Sequence, residues 1–65
     1  MEPYQERVVL ELEELNVKRD KLKDFIGGKL FLSLPVDERE RLNRQSIIMA
    51  SYASVLGERI ANFKS

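Results

Sequence analysis

Two tyrosines in this chain each have an arginine at a helical offset: Tyr4 with Arg7, and Tyr52 with Arg59. An arginine fork binds phosphate or carboxylate, and an aromatic ring beside it offers a stacking surface. Tyr52 and Arg59 lie two helical turns apart on one face, so the pair is a candidate clamp for a base and a phosphate. The plainer alternative for Tyr52 is a core tyrosine with a bonded hydroxyl. Tyr4, Gln5 and Arg7 form a second polar cluster, read as an interface rim or one wall of a pocket. Gln45 is a third candidate, an uncharged polar residue placed to fix register or to contact a ligand. The candidate ligand-binding residues are therefore Tyr4, Arg7, Gln45, Tyr52 and Arg59. Arg19, on an apolar stripe, is expected to snorkel or to pair with an acid, as is Arg59; Glu11, Glu14 and Glu58 are at hand.

Other chemistry is poorly supplied. The chain has neither Cys nor His, which rules out zinc-finger sites, Cys–His nucleophiles, His general bases and disulfides. The acids spread around the helix surfaces with no pair set apart for acid–base or two-metal work, so no enzyme, cofactor or metal is expected. Eleven basic and eleven acidic residues give zero net charge, which argues against nucleic acid as a partner. No apolar run reaches membrane-spanning length. The N-terminal MEPYQERVV lacks the basic-then-apolar layout of a signal peptide. A cytoplasmic protein is expected.

The elements that would position these residues are helical. The longest uncharged stretch, QSIIMASYASVLG from Gln45 to Gly57, alternates large apolar with small side chains. As a helix it is apolar on nearly every side, the pattern of a buried element. Before it, residues 3–26 read as a first helix. Pro3 suits the first turn, and Val8, Leu12, Leu15, Leu22 and Ile26 repeat at spacings of four and three with Arg19 in the gap. Val9 and Phe25 widen that stripe. Residues 1–17 hold five acids and one base, whereas 18–29 hold five bases and two acids. Gly27-Gly28 predicts a stop through a left-handed helix end. In the connection, residues 27–35, KLFLSL predicts a short helical turn, with Leu30, Phe31 and Leu34 covering the tip; a short strand is the rival. Leu34-Pro35 marks the next break.

A second helix is expected over 36–63. Asp37 and Glu38 fill its first turn, and Asp37–Arg41 and Glu40–Arg44 stand four apart in acid-to-base order. The run Asp37 to Arg41 reads as a solvated helix start. Leu42, Gln45, Met49, Tyr52, Leu56, Arg59 and Phe63 mark its seam, and Gly57 reads as a site of close packing. Folded back on the first helix, the second leaves Ile47, Ile48 and Val55 uncovered. The expectation is an all-α single domain, residues 1–65: an antiparallel helical hairpin with a short helical turn at the connection, assembled into an oligomeric helix bundle, dimeric or higher. A 65-residue chain buries only about 60% of its unfolded surface, which makes oligomerisation the expected supplement.

Three segments, PYQERVV with the downstream KLKDFIGG, then LPVDERERLNRQ, then YASVLGERIANF, carry a resemblance over nearly the whole chain. Together they resemble a family of very short tailed-phage proteins related to a small crAss-like-phage protein. The resemblance implies a counter-defence protein in the infected host cell: an oligomeric sponge that sequesters a nucleotide-derived signal without catalysis. Such signals are cyclic oligonucleotides or ADP-ribose derivatives made by TIR-domain proteins. No binding residue is carried over from it. A helical inhibitor or adaptor for a host protein, and a purely structural oligomer, are the alternatives.

Overall fold

The computed structural model describes residues 1–63 and is helical throughout, with α1 over Pro3–Ile26, α2 over Lys29–Leu32 and α3 over Val36–Ala61. No strand occurs among the described residues. Helix α1 begins where Pro3 needs no hydrogen-bond acceptor for its nitrogen. The buried Gln5, 6% exposed, turns its side-chain oxygen back to accept the Glu2 N–H at 2.8 Å. That bond satisfies one of the donors a helix start leaves open. Gln5 thus serves the helix start, with its side chain buried.

Helix α1 ends at Gly27-Gly28 without a left-handed residue. No glycine takes positive φ, and Gly27 stays right-handed at φ −79°. Gly27 donates its N–H to the Lys23 carbonyl and Gly28 donates to that of Phe25, each at 3.0 Å. The chain then leaves through an extended Gly28. The expected left-handed closure is corrected on this point. Helix α2 is the helical turn read from KLFLSL. Phe31 alone in it is buried and meets Phe25 edge-on, ring centroids 6.4 Å apart. Leu30, expected to cover the tip, is exposed. Past Pro35, Arg39 donates from Nε to the Leu34 carbonyl at 3.2 Å, tying the first turn of α3 to the connection.

The two long helices lie side by side in a body 49 × 15 × 13 Å. Tyr4, in the first turn of α1, meets Phe63, just beyond α3, with ring centroids 5.9 Å apart. The start of α1 thus lies against the end of α3, and the helices run in opposite directions. Val8, Leu15, Ala53 and Leu56 form the buried core between them, with Leu12, Met49, Ile60 and Phe63 packed around it. On α1 the buried and half-buried residues are Gln5, Val8, Leu12, Leu15, Arg19, Leu22 and Ile26, joined by Val9. The 4–3 spacing read from the sequence is therefore the packed face.

On α3 the seam is Leu42, Ser46, Met49, Ala53, Leu56, Ile60 and Phe63. Gln45, Tyr52 and Arg59, expected on the seam, are exposed, and the buried Ala53 with the half-buried Ser46 and Ile60 hold the seam one residue further along. The physical reason is size. The small Ala53, fully buried between the helices, leaves room for Val8 and Leu15, which a tyrosine there would displace. Gly57 is also corrected within the chain, since a Cβ built on it meets nothing within 4 Å.

Candidate functional site

The six seam residues of α3 from Leu42 to Ile60 are each preceded by a member of a second stripe: Arg41, Gln45, Ile48, Tyr52, Val55 and Arg59. These recur at four and three, so they share one helix face, and all six are exposed. On α1 the positions just before the seam are Tyr4, Arg7, Glu11, Glu14 and Lys18, exposed as well. Between right-handed helices running in opposite directions, these two stripes emerge on the same broad side of the pair. All five candidate residues, Tyr4, Arg7, Gln45, Tyr52 and Arg59, therefore lie on one side of the molecule.

They do not converge along it. Gln45 and Arg59 are fourteen residues apart on α3, or about 21 Å at 1.5 Å per residue, too far for one small ligand to touch both within a chain. Tyr4 and Arg7, one turn apart at the start of α1, share an end of the molecule with Arg59 in the last turn of α3. Cations in that last turn also sit well with the negative end of the helix dipole. The Tyr4 ring is half exposed although its neighbour Phe63 is partly buried, so one aromatic surface there stays open. Tyr52, 43% exposed, stands midway along α3 and is not a core tyrosine.

Gln45 lies in a shallow, open depression of ≈ 280 Å³ lined by Arg41, Arg44, Gln45, Ile48 and Met49. Its side-chain nitrogen lies 3.9 Å from the Met49 sulfur, a weak contact that leaves its polar atoms available. Arg41 belongs to the run read as a solvated helix start. Its guanidinium reaches Glu38 at 2.8 Å and Asp37 at 3.7 Å. Arg44, which the sequence reading does not include among the candidates, lines the depression one helical turn before Ile48. Arg19, expected to snorkel or to pair with an acid, is half-buried and donates to the exposed Asn16 side-chain oxygen at 3.0 Å. The described residues contain no group of acids placed to hold a metal ion, and no described helix is long and apolar enough to cross a membrane.

Fold and surface together define a small all-helical protein that presents a basic and aromatic side in place of a closed cavity. Residues 2–62 match the Sequestin family, and the chain belongs to it. The chain is also similar to an uncharacterized 7.5 kDa protein from the denB–rIIB intergenic region of Enterobacteria phage T4. The two are 43% identical over 61 residues, which cover 94% of this chain and 95% of the relative. No solved structure matches the chain.

Proposed function

We propose that this protein is a phage counter-defence sponge that binds and sequesters a nucleotide-derived immune signal without catalysis. The observation that carries this reading is the match of residues 2–62 to a family named for sequestration, joined to the likeness to a phage protein. The signal is of the cyclic ADP-ribose type or a cyclic oligonucleotide, taken up in the cytoplasm of the infected host. Its phosphate needs a fixed cation and its base needs a ring to stack on. Tyr4, Arg7 and Arg59 offer both at one end of the molecule, with Tyr52 and Gln45 further along the same side. One chain leaves these groups open to water, so the working unit is an oligomer of one-domain helical hairpins, residues 1–65, with the ligand held where subunits meet.

A second reading rests on Ile47, Ile48 and Val55, which are 65%, 66% and 51% exposed. An apolar surface of that kind also suits a host protein blocked by direct contact. Native mass spectrometry of the protein recovered from infected cells with active signalling separates the two. A retained small nucleotide, with calorimetric binding to the same compound in vitro, is the expected result. A stoichiometric host protein with no retained nucleotide would replace the sponge with an adaptor.

A further inference from the structure

Helix α3 has a second face that the chain leaves uncovered. Its seam residues from Leu42 to Ile60 pack toward α1, and at about 100° per residue the opposite side carries Arg44, Ile47, Ser51, Ser54, Val55 and Glu58. All of these are exposed, Ile47 and Val55 as large apolar side chains in water. Arg44 and Glu58 bound the uncharged run from Gln45 to Gly57. They lie on opposite sides of Ser51, each about two helical turns away. Neither charge is matched within the chain. The ion pairs among the described residues are those of Arg41 with Asp37 and Glu38, and the Glu40–Arg44 spacing yields none. From either end this face reads charge, apolar, small, apolar, charge, and its two charges are opposite in sign.

We propose that this face is covered by the same face of a second copy of this chain, running antiparallel about a two-fold axis at Ser51. Such a contact is isologous, each residue meeting its counterpart's mirror position. Arg44 of each copy meets the partner's Glu58, so the ion pair forms twice, and Ile47 packs on the partner's Val55. Ser51 and Ser54 are small and let the two helices approach at the centre. The α3 helices lie inside and the α1 helices outside. The opposed charges, about 21 Å apart on α3, select this partner and its direction, because a parallel copy would set Arg44 beside Arg44 and Glu58 beside Glu58. The arrangement rests on the reading of the protein as an interface-site sponge and gives that site its second half. The stripe of Gln45, Tyr52 and Arg59 lies about a quarter-turn round α3 from this face and stays open at the edge of the interface. The two-fold keeps both copies' stripes on one side, and Arg59 of one copy comes level with the partner's Asn43, next to the partner's Gln45. Gln45 and Arg59, far apart in one chain, are thus brought together between two.

Sedimentation equilibrium on charge-reversed chains tests the pairing. Arg44→Glu and Glu58→Arg should each weaken self-association about tenfold, because two ion pairs are lost and two repulsions replace them. The double variant Arg44→Glu with Glu58→Arg exchanges the charges and should recover wild-type association. Far-ultraviolet circular dichroism of each variant checks that α1 and α3 persist. The chain has no cysteine, so Ser51→Cys puts a single thiol at the two-fold axis, and oxidation should link it to its copy. Asn62→Cys, about 33 Å from its copy along the helix pair, should stay unlinked. A monomeric wild type, a charge-exchanged chain as weak as the single variants, or equal linking of the two cysteine variants would overturn the pairing. A ligand panel run on the same samples tests the sponge separately: a dimer that binds no signal keeps the interface and loses the ligand, and a monomer that binds one does the reverse.

Discussion

The Tyr4 and Phe63 rings meet edge-on, 5.9 Å between centroids and 75° between planes, and this contact joins the first turn of α1 to the second residue past the end of α3. Phe63 packs against the Val8–Leu56 core from that end, and Tyr4 lies over it half exposed. Edge-to-face pairs contribute about 0.5–1.5 kcal/mol beyond their buried area, so Tyr4→Ala is expected to cost about that much in urea denaturation. Tyr4→Phe keeps the ring and should cost almost nothing. Equal losses for both variants would assign the stability to the hydroxyl. Protein concentration must be held fixed between variants, because self-association adds to apparent stability.

Leu56 and Val55 are neighbours with opposite surroundings. Leu56 is 1% exposed and Val55 51%. Truncating a buried leucine to alanine costs about 2–5 kcal/mol, against a total of roughly 3–10 kcal/mol for a domain of this size. Leu56→Ala should therefore leave the chain largely unfolded at 37 °C by circular dichroism. Val55→Ala should change intrinsic stability by less than about 0.5 kcal/mol. Its effect should appear instead in sedimentation, as weaker pairing.

Helix α1 was legible in the sequence because Val8, Leu12, Leu15, Leu22 and Ile26 recur at four and three among charges, and Leu10 and Val17, exposed off that stripe, form no second one. Gln45 to Gly57 was legible as a helix but not in its rotation. Apolar side chains surround that helix, so periodicity alone allowed either Tyr52 or Ala53 to face α1. Following the larger side chains put Gln45, Tyr52 and Arg59 inside. The packed pair instead takes the small residues, since helices that approach closely have room for alanine between them and not for tyrosine. The same rotation of α3 carries all three candidate residues to the side that Tyr4 and Arg7 occupy, and Arg59 alone to their end of it. The stop at Gly27 was legible from composition, whereas its right-handed conformation was not, because glycine permits either hand.

Gly57 distinguishes packing within the chain from packing in the proposed oligomer. A methyl group there meets no atom within 4 Å, and glycine inside a helix costs about 0.5–1 kcal/mol relative to alanine. Gly57→Ala should raise the melting temperature of the folded chain. With Gly57→Leu, a loss of assembly in sedimentation while circular dichroism shows α1 and α3 intact would come from a neighbouring subunit's approach. A lower melting temperature for Gly57→Ala at dilution would show that the helix is under a constraint other than propensity.

Arg59 is the residue on which the ligand reading is most exposed to failure. It lies in the last turn of α3 with its side chain in water, at the same end as Arg7 and Tyr4. Its charge contributes about 0.3–1 kcal/mol to the helix through the dipole, so a modest loss of stability in Arg59→Ala says nothing about binding. Arg59→Lys removes that ambiguity, because it keeps the charge and the helix while giving up the planar two-pronged contact to phosphate. Losing a charge-assisted hydrogen bond should cost roughly 1.5–3 kcal/mol, or about ten- to a hundredfold in affinity. Calorimetry against cyclic ADP-ribose-type and cyclic oligonucleotide signals should show that loss for Arg59→Ala, a smaller one for Arg59→Lys, and an oligomer unchanged in both. If Arg59→Ala binds as tightly as the wild type while Gln45→Ala does not, the ligand lies instead in the depression beside Arg44 and Met49.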